Sequence, residues 1–250
     1  MNRILFERRE LLNDGIVVLT DERARQIREV LQAEVGAVLK VGMIDGLAGS
    51  GRIVECAGDS VRLAVTLDTE ASAPWFDLLL AVPRPKVLKR LWAQLAALGV
   101  GRIVLLNAAR VERVYFDSHW LEEEHFRPLL IEGLTQSGAT RLPEVSVQRR
   151  FRPFIEDELD AWAQTCWRIV AHPGPVLPVP PPPEGIVDTR PLLAIGPEGG
   201  WTRYELDLLA AHGFRPFAIG ERILRSDTAC LAIVAVLGYN IASRKYEERA

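Results

Sequence analysis

Two short apolar runs, each ending in a glycine turn, constrain this chain most. The first is Leu192–Ile195, followed by Gly196-Pro197-Glu198-Gly199-Gly200. The second is Phe217–Ile219, followed by Gly220-Glu221-Arg222-Ile223-Leu224-Arg225-Ser226-Asp227-Thr228-Ala229. Runs this short, apolar throughout, suit strands covered on both faces, which is the environment of a parallel sheet. A helix is expected after each turn. Thr202 and Glu205 have capping-box spacing, and Gly213 stands where that helix would end. Ser226 or Asp227 can cap an apolar helix running from about Thr228 to Ser243. Two strand ends thus deliver two glycine loops to one sheet edge, the edge at which open α/β sheets bind ligands.

Composition bounds the rest. The 250 residues suffice for one large or two modest domains, and 48% hydrophobic with 25% charged residues is ordinary for a globular protein. The net charge of −3 argues against a protein that coats nucleic acid nonspecifically. Residues 1–72 hold 9 basic and 12 acidic residues, and residues 73–250 hold 21 of each, so RNA contact requires local basic patches. No apolar run reads as a membrane span, and Met1–Phe6 leads directly into Glu7-Arg8-Arg9-Glu10, unlike a signal peptide. Cys56, Cys166 and Cys230 are far apart, with neither metal-site nor disulfide spacing, so no metal is expected and a reducing cytoplasm is.

Residues 1–72 read as a small β-rich domain. Its strand candidates are Ile16–Leu19, Val38–Ile44, Gly51–Cys56 and Val61–Leu67, with a helix from Thr20 or Asp21 to about Leu31. A linker over Thr69–Pro74 leads into a second domain, residues 73–250. There Phe76–Val82 reads as a buried strand and Pro85 as a helix start. Leu88, Leu91, Leu95 and Leu98 give that helix an inward face, with Lys86, Lys89 and Arg90 near its beginning. A strand over Arg102–Leu106 precedes a polar and aromatic stretch to Trp120, whose Tyr115 and Phe116 either stack on bases or tuck into the core. A helix to Ser137, a basic cluster at Arg149, Arg150 and Arg152, a helix over Phe154–Gln164 and a strand over Cys166–Ala171 follow. His172-Pro173 ends that strand, as an acid–base candidate or a hydrogen-bonded loop residue. A stiff proline-rich loop covers Val176–Glu184.

The two glycine loops together closely resemble the RsmE family, part of the SPOUT superfamily of knotted, S-adenosyl-L-methionine-dependent RNA methyltransferases. The resemblance implies an α/β fold: a SPOUT-type methyltransferase domain with a C-terminal trefoil knot, preceded by a PUA-like β-barrel that binds RNA. It implies methylation of N3 of a uracil in 16S ribosomal RNA by a cytoplasmic homodimer. The implied cofactor walls are Ala171 and His172; Ile195, Gly196, Pro197, Glu198, Gly199 and Gly200; and Ile219, Gly220, Ile223, Leu224, Arg225, Ser226, Thr228 and Ala229. Arg225 and Asp227 are the implied catalytic pair, with Asp227 either a base or a helix cap. Candidate RNA contacts are Arg8, Arg9, Arg28, Lys86, Arg90, Arg110, Gln136 and Arg141, the last two from a loosely matching Thr135–Glu144 segment. Gln32, Gln94 and Ala97 depart from the residues usual in the family. That leaves room for a related enzyme on a different RNA, or for a noncatalytic RNA-binding or ribosome-assembly protein.

Overall fold

The computed structural model describes residues 3–163, 167–184 and 190–247. It divides into two compact units, Met1–Ala73 with Leu130–Leu142, and Pro74–Leu129 with Pro143–Ala250.

The first unit holds β1 (Ile4–Phe6), β2 (Ile16–Leu19), α1 (Glu22–Arg25, continued by a π turn to Val30), β3 (Val38–Met43), β4 (Ala48–Ala57) and β5 (Ser60–Thr69). They form one sheet in the order β1-β3-β4-β5-β2, antiparallel except for β1 beside β3. Its core gathers Phe6, Val17, Leu19, Ile27, Val41, Ile53, Val61 and Leu63. Burial of these side chains is the main favourable term for so small a unit. Asp21 caps α1 by accepting from the Arg23 amide. The Arg23 guanidinium then joins Glu10 at 2.5 Å, Asp21 at 2.7 Å and the Leu5 carbonyl at 2.7 Å. Segment 130–142 belongs to this unit through Arg3, whose side chain donates to the Gly138 carbonyl at 2.8 Å and to the Val41 carbonyl at 2.7 Å.

The second unit is a doubly covered parallel sheet. Its elements are β6 (Phe76–Ala81), α2 (Pro85–Ala97), β7 (Val100–Leu106), the part of α3 (Glu123–Ser137) before Leu130, β8 (Glu144–Gln148), α4 (Phe151–Pro153), α5 (Leu159–Ala163), β9 (Arg168–Ala171), β10 (Leu192–Ile195), α6 (Arg203–Ala211), β11 (Phe214–Phe217) and α7 (Ser226–Glu247). All six strands are parallel, in the order β11-β9-β10-β6-β7-β8. The central strands β6, β9 and β10 are buried along their whole length, including Asp77 of β6 and Arg168 of β9.

Several elements differ from expectation. The second glycine turn is preceded by a strand at Phe214–Phe217, not Phe217–Ile219. Gly213, at φ 81°, ends α6 and turns directly into β11, which tolerates Pro216 because it pairs only with β9 at the sheet edge. The short β1 and the edge strand β8 are additional strands. Helix α7 begins at Ser226 and is long and apolar enough, by length and composition alone, to cross a membrane, contrary to the reading of the sequence. Its Ser226, Cys230, Ile233, Val234 and Leu237 nevertheless face inward at helical spacing. Cys166 and Gln164 lie outside the described residues.

At the N-terminal end of β6, Asp77 is 1% exposed and accepts from the Arg102 amide at 3.0 Å and from its guanidinium at 2.7 Å, while Arg190 approaches to 3.5 Å. Arg102 also lies 4.2 Å from the Trp162 ring centre. Removing this buried carboxylate leaves the half-buried Arg102 guanidinium without its ion partner. Asp77→Ala is expected to lower unfolding free energy by ~3–5 kcal/mol in urea titration; a change within ~0.5 kcal/mol would show that Arg102 is satisfied without it.

Candidate active site

Three strands end at one level. Ala171 of β9 pairs with Ile195 of β10 on one side and with Phe217 of β11 on the other. His172, Gly196 and Ala218 therefore leave the sheet together, beside the first turn of α7. The His172 amide donates to the Phe217 carbonyl at 3.2 Å, and Leu177 of the proline-rich loop donates to Ala218 at 2.9 Å. The result is a cleft of about 620 Å³. Ala171, His172, Ile195, Gly196, Pro197, Glu198, Gly200, Ile219, Gly220, Ile223, Leu224, Ser226 and Ala229 all line it. So do Trp201, Phe217, Ala218 and Ile233, which the sequence reading omitted.

Close packing shapes the loop after β10. A Cβ on Gly196 would stand 3.0 Å from Trp201 Nε1, and Gly200 sits at φ 73° in a turn closed by its amide to the Pro197 carbonyl at 2.8 Å. Thr202 and Glu205 form the expected capping box. The buried Glu205 does more, accepting from the Ala109 amide at 2.7 Å. That bond holds the adjacent Arg110, whose guanidinium donates to the Gly199 carbonyl at 2.5 Å. Arg110 is thus a brace of this loop, and Gly199 contributes its carbonyl to that brace.

Among the described residues six buried side-chain polar atoms have no hydrogen-bond partner, and three of them are His172 Nδ1, Trp201 Nε1 and Ser226 Oγ. All three belong to residues that line the cleft. Orphaned buried polar atoms are costly and rare, so three in one cleft mark a place for a polar ligand. Burial, and then the charge of Arg110, hold the His172 imidazole below its ordinary value, so it is neutral at pH 7. Cys230 is no nucleophile here, because burial pushes its thiol up to about 12.

A second, wider cleft of about 1600 Å³ adjoins the first and shares Glu198, Ile223, Leu224 and Ser226 with it. Arg84, Lys86, Arg90, Tyr115 and Arg225 also line it. Asp227 lies beside this cleft, joined to Arg90 at 2.5 Å and to Arg225 at 3.3 Å, and accepting from the Thr228 amide at 3.0 Å. Burial works against its charge, but the hydrogen bond from Arg90, the Thr228 amide and the charge of Arg225 hold the carboxyl below its usual range. Of the two readings of Tyr115, burial in the core is the one seen, yet its hydroxyl donates to Glu112 at 2.8 Å at the cleft wall. Arg84 was not singled out in the sequence, since an arginine before a helix proline carries no motif. Thr228 is exposed on α7 and lines neither cleft.

The remaining RNA candidates belong to the first unit. Arg8, Arg9, Gln136 and Arg141 are exposed, whereas Arg28 is engaged with the Gly58 carbonyl and with Asp59 at 3.1 Å.

A parallel sheet with a cleft at its carboxyl edge is the ligand-binding layout of an open α/β domain, and residues 70–238 match the family described as an RNA methyltransferase domain. Over 257 aligned residues, covering 95% of this chain and 90% of the relative, the chain is 33% identical to ribosomal RNA small subunit methyltransferase E of Treponema pallidum. It is 28% identical to the Synechocystis protein of the same name, over 88% of this chain and 72% of that one. The fold is shared with the crystal structure of ribosomal RNA small subunit methyltransferase E from Neisseria gonorrhoeae bound to S-adenosyl methionine, with a TM-score of 0.68 over 93% of this chain and 95% of that chain at 21% identity. The chain belongs to the ribosomal RNA small subunit methyltransferase E family.

The environment of His172 is directly measurable. Its NMR titration midpoint is expected below the ordinary imidazole value of about 6.5. Arg110→Ala should raise it without restoring that value, because burial remains. Because the folded form binds its proton less readily than the unfolded chain, His172 contributes stability above about pH 6.5 that declines as pH falls. A midpoint above 6.5 would contradict the burial of the ring.

Proposed function

We propose that this chain transfers a methyl group from S-adenosyl-L-methionine to N3 of a uracil in 16S ribosomal RNA of the small subunit. The observation that carries this reading is the pairing of two clefts. One presents three unpartnered polar atoms between glycine loops, and the adjoining one presents Arg84, Lys86, Arg90 and Arg225. The donor set fits the cofactor: neutral His172, Trp201 N–H and Ser226 O–H suit an adenine, ribose hydroxyls and an amino-acid tail. Arg222 is the one cation in the lining among the described residues and is exposed; His172 and the apolar remainder set no positive charge against a sulfonium. When bound, adenosylmethionine supplies an electrophilic methyl group.

This chain's own residues then have three tasks. The first is to hold RNA. Lys86, Arg84 and Arg90 are exposed cations at the start of α2, placed for phosphates. The second is to present the base, which must be unpaired because N3 lies on the pairing edge. The third is to favour loss of the weakly acidic N3 proton. Arg225, 69% exposed at the cleft, is the group for the charge developing on a uracil oxygen. Asp227 serves as its brace: a carboxylate held ionised by two arginines is a weak proton acceptor, whereas it orients both guanidiniums well.

The finer architecture follows the same reading. Strand β11 returns to the far side of β9 after β10 has formed on the near side, which supports a trefoil knot through the loops of the cleft. We assign residues 1–72 to a PUA-like β-barrel that holds RNA through Arg8, Arg9, Arg28, Gln136 and Arg141, although the last two follow it in sequence. Residues 73–250 form the methyltransferase domain. The protein acts in the cytoplasm as a homodimer. Only 28% of the long apolar stretch of α7 is buried. Its exposed Ala235, Val236, Tyr239 and Ala242 form a face that a second copy would cover.

Incubation with labelled adenosylmethionine and unmodified small subunits should yield N3-methyluridine on nuclease digestion and mass spectrometry. Arg225→Ala should lower kcat by roughly 10²-fold and leave cofactor affinity unchanged. Label transfer to neither naked RNA nor subunits would sink the proposal. Light scattering after size exclusion should give about twice the 27.9 kDa chain mass, and Val236→Glu should halve it; a monomeric wild type would remove the dimer.

A further inference from the structure

We infer that Glu198 is a positioning residue: it fixes the basic first turn of α2 beside the cofactor cleft and so governs RNA affinity more than cofactor affinity. The inference rests on the methyltransferase reading above for its ligands, not for its geometry.

Helix α2 lacks the usual means of starting. Its N-cap is Arg84, whose side chain makes no cap hydrogen bond, and its first turn holds no acidic residue. Pro85 has no N–H to contribute. Arg84, Lys86, Lys89 and Arg90 crowd the same two turns, on top of the positive end of the helix dipole. Asp227 answers Arg90, and the helix start itself is met from 114 residues away: Glu198 Oε1 accepts from the Arg84 amide at 3.2 Å. Its loop is held from the other side by Arg110 on the Gly199 carbonyl at 2.5 Å. Glu198 lines both clefts, but its carboxylate is directed to the helix start. One side chain thereby ties the loop after β10 to the turn that carries Arg84, Lys86 and Arg90.

Two physical accounts of Glu198 predict opposite signs. If it were only a negative charge near a basic cleft, removing it would tighten RNA binding by reducing repulsion of phosphate. If it positions α2, removing it weakens RNA binding although the protein becomes less acidic. Glu198→Ala is therefore expected to weaken binding of a small-subunit RNA fragment by about fivefold to tenfold, the range of a lost helix cap. Glu198→Gln keeps an acceptor and should stay within about threefold. Because Glu198 also lines the cofactor cleft, affinity for S-adenosylhomocysteine in Glu198→Ala should fall by clearly less than RNA affinity does. Amide hydrogen exchange at Arg84 should accelerate in Glu198→Ala and not in Glu198→Gln.

Tighter RNA binding by Glu198→Ala, parallel loss of cofactor affinity, or unchanged exchange at Arg84 would each overturn the inference. A wild-type protein that binds neither ligand would count against the methyltransferase reading, while exchange at Arg84 would still decide whether Glu198 braces α2.

Discussion

Parallel pairing of β9 with both β10 and β11, in one register, is the constraint on which the rest depends. Because Ala171, Ile195 and Phe217 lie side by side, three chain segments must leave the sheet at the same height. Nothing in any single segment makes a cleft. The apolar strands supply the burial that keeps them aligned, and the glycines let the departing loops pass closely enough to leave a walled space. The polar atoms of His172, Trp201 and Ser226 are then carried into that space from three different elements, where no protein group reaches them.

The chemistry of charge around this space runs against the bulk composition. The chain is slightly acidic, yet its second cleft is lined by four cations. Carboxylates near the site hold backbone or cations in place. Glu205 holds the loop that carries Arg110, Glu198 meets the start of α2, and Asp227 joins Arg90 to Arg225. The Asp227 pairs lose some of the attraction that free cations would offer RNA, and gain guanidiniums held in one direction. Direction matters more here, since a methyl transfer depends on placement of the base.

Much of the layout was legible because burial and turn chemistry write themselves into local sequence. The capping box at Thr202 and Glu205, the proline start of α2 and the apolar runs of β6 and β10 all appear where local signals put them. The misplacement of β11 has a physical cause. Its strand contains Pro216, a residue that argues against a strand until the edge position is known. Strands β1 and β8 are too short or too exposed to announce themselves. Arg110 read as a surface cation for RNA and instead braces Gly199, a partner 89 residues away.

The sequence by itself determined the two-domain composition, the parallel sheet, the glycine loops and the family to which they belong. These follow from short-range rules: hydrophobic period, caps, breakers and a distinctive pair of motifs. Only the tertiary structure decided which polar groups remain unpartnered, that Glu198 and Asp227 are bound to cations or helix amides, and that Arg84 and Trp201 stand at the clefts. Those facts depend on which distant segments the sheet brings within about 3 Å of one another, and no local pattern encodes that distance.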